Sequence, residues 1–574
     1  MEFGIRSSEF RKGTGRVRNF TIDCPARSPP APWAPIPNRG QVLMELECLP
    51  YGVGHTDEGI CLWVRMGPHR ILLDCGLRDI SSLLDSDRRL HIADVVLCSH
   101  AHADHARGLL DLHRAMPGLP IYASEVTARL LPLNWPQIEN PPEFCQGLPW
   151  RSRVQLHEDL WVELLPAGHL PGAAIVRLSY MSSALTYTLT YTGDFLLSNS
   201  RLVEGLPLEE LRGSSPDVLI VEGSYGTARY PRRRTQENQL AERIDRAIAR
   251  GDSILLPVPP LGLAQELLML LRSHHHFTGR DIDIWVDSAV AAGCDAYLDI
   301  LPQLPTTVQN FARHQPLFWD DRIRPRMRRL VEADRATFGS TPSIVLARET
   351  KDLSRYCHSE SGSWLVLYQQ HPGYPLPEEN WDWQPPANVQ IETYVLSEHC
   401  DVSGTTQAIH NIRPQHIIFV HGSPNYLADL TNLEELRNRY QVHCPANGIL
   451  VELPIREKFV KTEHTETHYE GELTEFDRAV TITLPESILA DPRWQNFADT
   501  GLIETRWQGD ELVLRGVPQR ELLDRSRDRP IPFDVACCAN CIHCRGQQCW
   551  NQASPLFGFK VTPDGSCPVF EGIE

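Results

Sequence analysis

The chain lacks the features of a membrane or secreted protein. Its 574 residues contain no apolar run long enough to cross a bilayer, and even the apolar stretch 254–271 includes three prolines. Residues 1–19 are basic and polar without an apolar core, so we expect no signal peptide. The chain has no excess of positive charge either, since its formal net charge is −18. Any polyanion that it binds must therefore meet a local basic channel rather than a broadly basic surface.

The cysteines also lack the pattern of a disulfide framework. Ten of the 16 cysteines are scattered singly, and the other six lie between Cys537 and Cys567. This distribution favours a reducing compartment, and we expect the cytoplasm. Hydrophobic residues at 42% and charged residues at 22% are typical of a globular protein. A chain of 574 residues is too long for one core and predicts several domains.

The segment Ser99–His105, with the sequence S-H-A-H-A-D-H, is the densest group of chemically active side chains. It follows the apolar run 93–98, which predicts a buried strand, and it precedes the pattern 106–116, which predicts a helix. The metal-ligand-type residues in it are His100, His102, Asp104 and His105. The first two can point to one side of an extended chain, and the last two can turn inward at the helix start. Histidine and carboxylate together predict a metal site and suit zinc best.

Further polar side chains stand where predicted strands end. Asp74, His169 and Asp194 each follow such a strand. Strand ends are where open α/β sheets keep their chemistry, so additional ligands for the histidine cluster are expected there. A carboxylate followed closely by glycine, as in Asp74-Cys75-Gly76, commonly orients a neighbouring ligand instead of binding metal itself.

In this order, these residues resemble motifs 1 to 4 of the metallo-β-lactamase superfamily. The resemblance implies an αββα sandwich with a metal pair at one edge of its two sheets. The ligand sets that it implies are His100, His102 and His169 for one zinc ion and Asp104, His105 and, from a later segment, His421 for the second. It further implies that Asp194 bridges the two ions and that Asp74 supports a ligand.

Three later segments resemble motifs A, B and C of the β-CASP nucleases, the branch of this superfamily that processes nucleic acids. They are Asp217–Gly226, which contains Glu222, Ser397–Asp401, which contains His399, and Pro414–Gly422, which contains His421. The resemblance runs from about residue 42 to residue 453 and implies an inserted β-CASP domain between motifs A and B. His399 paired with Glu222 is suited to protonate a leaving oxygen, because a nearby carboxylate favours the imidazolium form. The expected catalytic residues are therefore Asp74, Asp194, Glu222 and His399.

The chain departs from the family pattern at several positions. Motif A has Gly223 where serine is usual, and motif B has Glu398 and Cys400 where small residues are common. The segment Arg348–Lys351 replaces a small, glycine-containing loop. None of these residues is an expected metal ligand, so the departures concern the substrate more than the chemistry.

The resemblance implies a zinc-dependent ribonuclease that hydrolyses phosphodiester bonds of single-stranded RNA, internally or also from the 5′ end. A histidine in motif C resembles the RNA-acting members, whereas the DNA-repair members usually carry valine there. A DNA nuclease and a non-catalytic scaffold are the alternatives, and the intact ligand set counts against the scaffold. A homodimer or an RNA-processing complex is the expected assembly, with no membrane partner. Arg232, Arg233 and Arg234 are expected to bind RNA phosphates.

The expected fold class is α/β, a metallo-β-lactamase αββα sandwich with an inserted β-CASP α/β domain and a small C-terminal α+β region that ends in a Cys-rich knuckle. The expected boundaries are 1–40 for a disordered, proline-rich tail, 41–225 and 391–455 for the two parts of the metallo-β-lactamase domain, 226–390 for the β-CASP domain, 456–535 for a linker and a small α+β domain, and 536–574 for a Cys-rich module. In that module, the spacing of Cys538, Cys541, Cys549 and Cys567 predicts an additional zinc site. Cys544 could replace Cys549, and an iron–sulfur cluster is the alternative to zinc.

Overall fold

A computed structural model of the chain describes residues 2–12, 15–25, 45–55, 58–84, 92–182, 186–331, 341–350, 352–358, 361–370, 383–455, 466–476, 479–483, 503–508, 511–516, 541–545 and 548–549. The chain divides into two compact units, one of residues 1–38 with 457–574 and one of residues 39–456. Among the helices described, none combines the length and the apolar composition that a bilayer crossing requires.

The strands alternate with helices over most of the chain. Up to the insertion they are β1 (Glu2–Lys12), β2 (Gly15–Pro25), β3 (Glu45–Val53), β4 (Ile60–Met66), β5 (His69–Leu73), β6 (Val95–Leu97), β7 (Ile121–Ser124), β8 (Cys145–Leu148), β9 (Val154–His157), β10 (Leu160–Pro166), β11 (Ala174–Met181), β12 (Thr186–Tyr191) and β13 (Val218–Glu222). The insertion contains β14 (Ser253–Val258), β15 (Asp283–Val286), β16 (Arg326–Arg329), β17 (Ile344–Arg348), β18 (Trp364–Gln369) and β19 (Val389–Tyr394). After it come β20 (His416–Val420), β21 (Gln441–His443), β22 (Val451–Pro454), β23 (Glu466–Phe476), β24 (Ala479–Thr483), β25 (Ile503–Gln508), β26 (Glu511–Gly516), β27 (Cys544–Arg545) and β28 (Gln548–Cys549).

The helices vary from single turns to five turns. They are α1 (Ser81–Leu84), α2 (Ala103–Ala106), α3 (Leu109–Ala115), α4 (Glu125–Leu130), α5 (Leu208–Leu211), α6 (Arg233–Arg250), α7 (Leu263–Ser273), α8 (Ser288–Asp299), α9 (Thr306–His314), α10 (Val402–Ile412), α11 (Pro424–Thr431) and α12 (Glu434–Arg437). Two short 3₁₀ helices span Leu131–Asn134 and Leu301–Gln303.

Two seven-stranded sheets form the sandwich, in the orders β22-β3-β4-β5-β6-β7-β8 and β21-β20-β13-β12-β11-β10-β9. Apolar side chains of both sheets share one buried cluster, to which Val64, Val176 and Ile418 belong. The central strands β13 and β20 are buried along their whole length, as is usual for parallel strands covered on both faces. They pair in parallel and in register, so that motifs A and C end at the same sheet edge. The predicted α/β sandwich is confirmed.

The insertion builds a third sheet in the order β16-β15-β17-β14-β18-β19, and each neighbouring pair in it is parallel. Helices α6 and α7 follow β13 and β14 in the chain and lie within this insertion. Gly251 ends α6 with φ of 94°, a left-handed conformation that glycine adopts without steric cost. Because all six strands run the same way, their carboxyl ends lie along one edge of this sheet.

The smaller unit differs from the sequence prediction. Residues 1–40 were expected to form a disordered tail, but β1 and β2 lie within them. These strands belong to a six-stranded sheet in the order β24-β23-β2-β1-β26-β25, in which β2 pairs with β23 from Arg16 to Pro25. The partner strand comes from the far end of the chain, which local composition cannot reveal.

The helix predicted over 106–116 is also divided, between α2 and α3. Gly108 separates the two helices, and its N–H donates to the carbonyl of Cys75 at 2.9 Å. A Cβ atom at this glycine would approach the carbonyl oxygen of Leu77 to 2.8 Å. The close approach packs the start of α3 against the loop after β5, and it fixes the short helix that carries Asp104 and His105.

Candidate active site

The predicted ligands meet at one edge of the sandwich. His100 and His102 follow β6, Asp104 and His105 lie in α2, His169 follows β10, Asp194 follows β12, and His421 follows β20. Asp104 and His421 are 317 positions apart in the chain, yet Asp104 Oδ2 lies 3.1 Å from His421 Nε2. These strands belong to both sheets of the sandwich and end at the same edge of it, so residues from distant segments share one site.

The first group of ligand-type atoms consists of His100, His102, His169 and Asp194, whose ligand atoms all lie within 4.8 Å of one another. His102 Nδ1 lies 3.2 Å from His100 Nε2 and 3.1 Å from His169 Nε2. Burial lowers the pKa of His100 well below its usual value and that of His169 to about 4. The rings are therefore neutral at pH 7, which is the form that binds a metal ion.

The second group consists of Asp104, His105 and His421, whose ligand atoms are equally close. Asp194 faces both groups. Its Oδ2 lies 3.4 Å from His100 Nε2 and 3.4 Å from His105 Nε2, and its Oδ1 lies 3.7 Å from His421 Nδ1. A carboxylate in this position can serve two cations at once.

Two buried atoms at the centre of the cluster indicate that a cation belongs there. His105 Nε2 and Asp194 Oδ1 are both buried, and neither makes a hydrogen bond with any described residue. Buried polar atoms nearly always have a partner, and a metal ion would satisfy both of these. Nitrogen and carboxylate ligands in these numbers fit zinc, so the residues present fit the two expected zinc ions.

Asp74 contacts the ligand cluster through His105. Its carboxylate accepts hydrogen bonds from the Ser99 N–H and from the Tyr191 hydroxyl, each at 2.6 Å. Its Oδ2 also lies 2.8 Å from His105 Nδ1. This contact fixes the ring of His105 so that Nε2 faces Asp194, the role expected for Asp74. Sequence reasoning missed Tyr191, although its position at the end of β12, three residues before Asp194, was a signal.

Main-chain carbonyl groups, one from the insertion and one from the motif B segment, orient two of the histidines. His102 Nε2 lies 3.2 Å from the carbonyl oxygen of Leu261, and His169 Nδ1 lies 2.9 Å from that of Glu398. Since a carbonyl only accepts, each of these nitrogens carries the proton, and the other ring nitrogen is free to bind metal. Sequence reasoning missed these contacts because a carbonyl group has no side-chain signature.

His399 and Glu222 form a pair beside the cluster. His399 Nδ1 lies 3.0 Å from Glu222 Oε1, which also accepts the N–H of Phe195 at 2.8 Å. Burial by itself would lower the pKa of His399, but the negative charges of Glu222 and Asp194 outweigh it and raise this pKa to about 10. These carboxylates favour the imidazolium form of His399, which has a proton to give.

Ser224 links this pair to the second ligand group. Its hydroxyl donates to Glu222 Oε2, and its Oγ lies 2.6 Å from His421 Nδ1. Glu222 thus has both carboxylate oxygens engaged by fixed donors. Sequence reasoning did not assign a role to Ser224, although it lies two residues after Glu222 within motif A.

A cavity of about 460 Å³ opens over these groups between the sandwich and the insertion. The lining residues from the sandwich and its return segment include His102, Asp104, His169, Asp194, His399 and His421, and those from the insertion include Pro260, Leu261, Ala289, Ala292 and Arg348. The site is thus a cleft with the ligand groups on one side and the insertion on the other.

The predicted RNA contact of Arg233 does not hold. Its side chain is buried and donates to the carbonyl oxygen of Ser397, and its guanidinium lies 3.3 Å from Glu266 Oε2 and 3.7 Å from Glu237 Oε1. A guanidinium with these partners fixes α6 against the motif B loop and cannot reach solvent. Arg232 and Arg234, on either side of it, are exposed.

The structure describes only part of the predicted C-terminal metal site. Cys541 and Cys549 are both buried, and the short strands β27 and β28 pair Cys544 with Cys549 along the backbone. Cys538 and Cys567 lie outside the described residues. The additional zinc or iron–sulfur site therefore stays a prediction.

Comparison with known proteins covers the segments that carry the site. Residues 69–248 match the Beta-lactamase superfamily domain, and residues 384–445 match the Zn-dependent metallo-hydrolase RNA specificity domain. An uncharacterized protein of Synechocystis sp. is 49% identical over 550 residues, which cover 94% of this chain and 99% of that protein. Integrator complex subunit 11 of Danio rerio is 23% identical and covers 71% of this chain and 74% of its own length. An RNase J-like protein of Methanocaldococcus jannaschii is 26% identical over 63% of this chain and 89% of its own length.

Proposed function

The chain belongs to the β-CASP branch of the metallo-β-lactamase superfamily, and we propose that it is a zinc-dependent ribonuclease that hydrolyses phosphodiester bonds of single-stranded RNA. One observation carries the proposal. Two ligand groups face the single carboxylate of Asp194, and His399, whose Nδ1 lies 3.0 Å from Glu222 Oε1, lines the same cleft. This combination supports hydrolysis of an anionic ester.

The residues of the ligand cluster divide between two zinc ions. His100, His102 and His169 would hold one zinc ion, Asp104, His105 and His421 would hold the second, and Asp194 would contact both. When bound, the two ions supply the Lewis acidity that activates water and offsets the charge of a phosphodiester. The two aspartates balance part of that positive charge, and the neutral histidines leave enough of it to polarise a phosphate.

His399 supplies the proton for the leaving oxygen. Its Nδ1 faces Glu222, so Nε2 is the ring nitrogen left to donate. The Phe195 N–H and the Ser224 hydroxyl keep the Glu222 carboxylate in place during the reaction. A general acid positioned in this way typically contributes a factor of about 10² to 10⁴ in rate.

The shape of the site favours an unpaired strand. The catalytic groups lie inside a cleft between the sandwich and the insertion, where an A-form duplex is too wide to enter. The exposed side chains of Arg232 and Arg234, at the start of α6, are candidates for contact with RNA phosphates outside the cavity. Motif C with His421 supports RNA over DNA as the substrate.

The test is to incubate the zinc-loaded protein with end-labelled single-stranded RNA, the DNA of matched sequence and blunt duplex RNA. We expect cleavage of the single-stranded RNA alone, and the product lengths separate internal cutting from 5′ digestion. Preferential cleavage of the DNA would replace the proposal by a DNA nuclease. If the zinc-loaded protein cuts neither nucleic acid, it acts as a scaffold and the proposal fails.

A further inference from the structure

We propose that Arg348 binds a phosphate of the RNA strand on the insertion side of the cleft. This inference rests on the proposed function and specifies how the substrate is held. Arg348 belongs to the segment that replaces the glycine-containing loop usual in the family, so its role concerns this chain in particular.

The position of Arg348 in the insertion supports this role. It is the last residue of β17, which lies inside the parallel sheet between β15 and β14. Open α/β sheets bind ligands outside the carboxyl ends of their strands, and Arg348 is at such an end. Its side chain is exposed and lines the same cavity as Asp194 and His399. One guanidinium of the insertion therefore faces the space in which the proposed chemistry occurs.

Among the residues that the structure describes, none hydrogen-bonds to the Arg348 guanidinium. The nearby carboxylate of Asp287 accepts the backbone N–H of Arg348 at 2.8 Å through Oδ2 and the N–H of Val290 at 2.9 Å through Oδ1. This arrangement fixes the backbone at the end of β17 and caps α8. Within the described part of the chain, no carboxylate forms an ion pair with the Arg348 side chain. The positive charge is thus held at the cavity and left for a ligand.

Arg348 is also the side chain of this cavity that is suited to bind a phosphate away from the proposed metal ligands. The lining of the cavity includes the carboxylates of Asp104, Asp194 and Glu398, in a chain of net charge −18. Glu398 Oε2 accepts from the Gln369 side chain at 2.9 Å and does not neutralise Arg348. Arg348 is the one arginine among the described residues that line this cavity. Its planar guanidinium can bind two oxygens of one phosphate.

The neighbouring side chains leave room for a nucleotide. Ala289 and Ala292 of α8 line the cavity beside Arg348 with methyl groups. Small side chains here let a sugar-phosphate unit pass close to the strand ends. Arg233 provides the contrast, because its guanidinium is buried among protein acceptors and has no space for a ligand.

The experiment compares Arg348→Gln, Arg348→Lys and Arg313→Gln in the full zinc-loaded chain. Arg313 is an exposed arginine of α9 in the same insertion, does not line the cavity and gives the same change of net charge. Cleavage of single-stranded RNA is measured at several salt concentrations. We expect Arg348→Gln to raise KM about tenfold, the loss of one charge-assisted contact. It should also reduce the slope of log KM against log salt by about 0.7, the value for one phosphate of a single strand.

The remaining measurements separate binding from a structural role. Arg348→Lys should restore the salt slope as a point charge but recover KM only in part, since it lacks the bidentate fork. Arg313→Gln should behave like the wild type, and all variants should keep their zinc content and Tm. A KM and a salt slope of Arg348→Gln equal to those of Arg313→Gln would overturn the inference while wild-type cleavage upholds the proposed function. Lost zinc or a lowered Tm in Arg348→Gln would also overturn it, whereas a wild type that neither binds nor cuts RNA defeats the proposed function itself.

Discussion

The two sides of the cleft fix their charged side chains by different means. On the sandwich side, each proposed ligand follows a strand or lies in the helix that begins there, and a second group holds it, as Asp74 holds His105. On the insertion side, consecutive arginines differ completely in their surroundings. Arg233 is buried against two glutamates, while its neighbours Arg232 and Arg234 are exposed.

This difference indicates which features of a site can be predicted from the local sequence. The position of a ligand follows from the strand that precedes it, because parallel strands end together at one sheet edge. The role of an arginine side chain depends instead on the hydrogen-bond acceptors that pack around it, and these come from other segments. The same residue type therefore joins two segments at Arg233, where its guanidinium is buried, and lines the cavity with an exposed side chain at Arg348.

The largest effect on RNA cleavage is expected from the removal of Asp194, the carboxylate that faces both ligand groups. Asp194→Ala should reduce RNA cleavage below detection and lower the zinc content, because no other described carboxylate faces both groups. Cleavage of end-labelled RNA and metal analysis by mass spectrometry measure the two effects. Asp111→Ala, at an exposed aspartate of α3, is the control and should change neither. Retained turnover in Asp194→Ala would contradict the two-ion site.

The next largest effect is expected at His399, which is assigned a proton and no metal. His399→Ala should lower kcat by about 10² to 10⁴ while both zinc ions stay bound. His421→Ala should lose zinc, because its Nε2 lies 3.1 Å from the Asp104 carboxylate in the second ligand group. Zinc content and single-turnover cleavage are measured for both variants. The opposite result, with zinc lost from His399→Ala and kept by His421→Ala, would reverse the two roles.

Much of the site could be predicted from the sequence because short spacings carry its chemistry. The histidines around Asp104 follow one strand within six positions, and the structure brings them together with His169 and His421. The apolar run 93–98 likewise predicted a buried strand, and β6 lies within it with all three of its residues buried. These features depend on local sequence and on sheet geometry alone.

The remaining features depend on contacts between distant segments. The carbonyl group of Leu261 orients His102 across the insertion, and β2 pairs with a strand from the far end of the chain. Neither a carbonyl group nor a pairing partner is visible in the local pattern. The same is true of Arg233, whose acceptors lie in α6, in α7 and at Ser397.

Arg233 can be distinguished from its neighbours by stability. Arg233→Ala leaves the buried carboxylate of Glu266 without its guanidinium, although Glu266 still accepts the backbone N–H groups of Arg201 and Leu202. We expect the free energy of unfolding to fall by about 3 kcal/mol, as when one partner of a buried ion pair is removed. Urea denaturation measures the change. Arg232→Ala and Arg234→Ala should stay within about 0.5 kcal/mol of the wild type, and equal losses for all three would contradict the difference in burial.

The smallest effect, a change in zinc affinity, is expected at Tyr191, which contacts Asp74. Its hydroxyl donates to Asp74 Oδ2 at 2.6 Å, and the same oxygen lies 2.8 Å from His105 Nδ1. Tyr191→Phe removes this donor and keeps the ring, so Asp74 retains Ser99 but holds the His105 ring less firmly. Loss of an outer partner of this kind lowers metal affinity by about tenfold or somewhat more.

Zinc affinity is measured by competition with a chelator, and Tyr187→Phe is the matched control on the same strand. Tyr187 stacks on Tyr180 at a ring-centroid distance of 6.2 Å and does not contact the cluster. Its variant should bind zinc like the wild type, since only the hydroxyl of Tyr191 acts on Asp74. If Tyr191→Phe also bound zinc like the wild type, Asp74 and Ser99 alone would suffice to orient His105. The sandwich side would then hold its ligands with fewer groups than the geometry indicates.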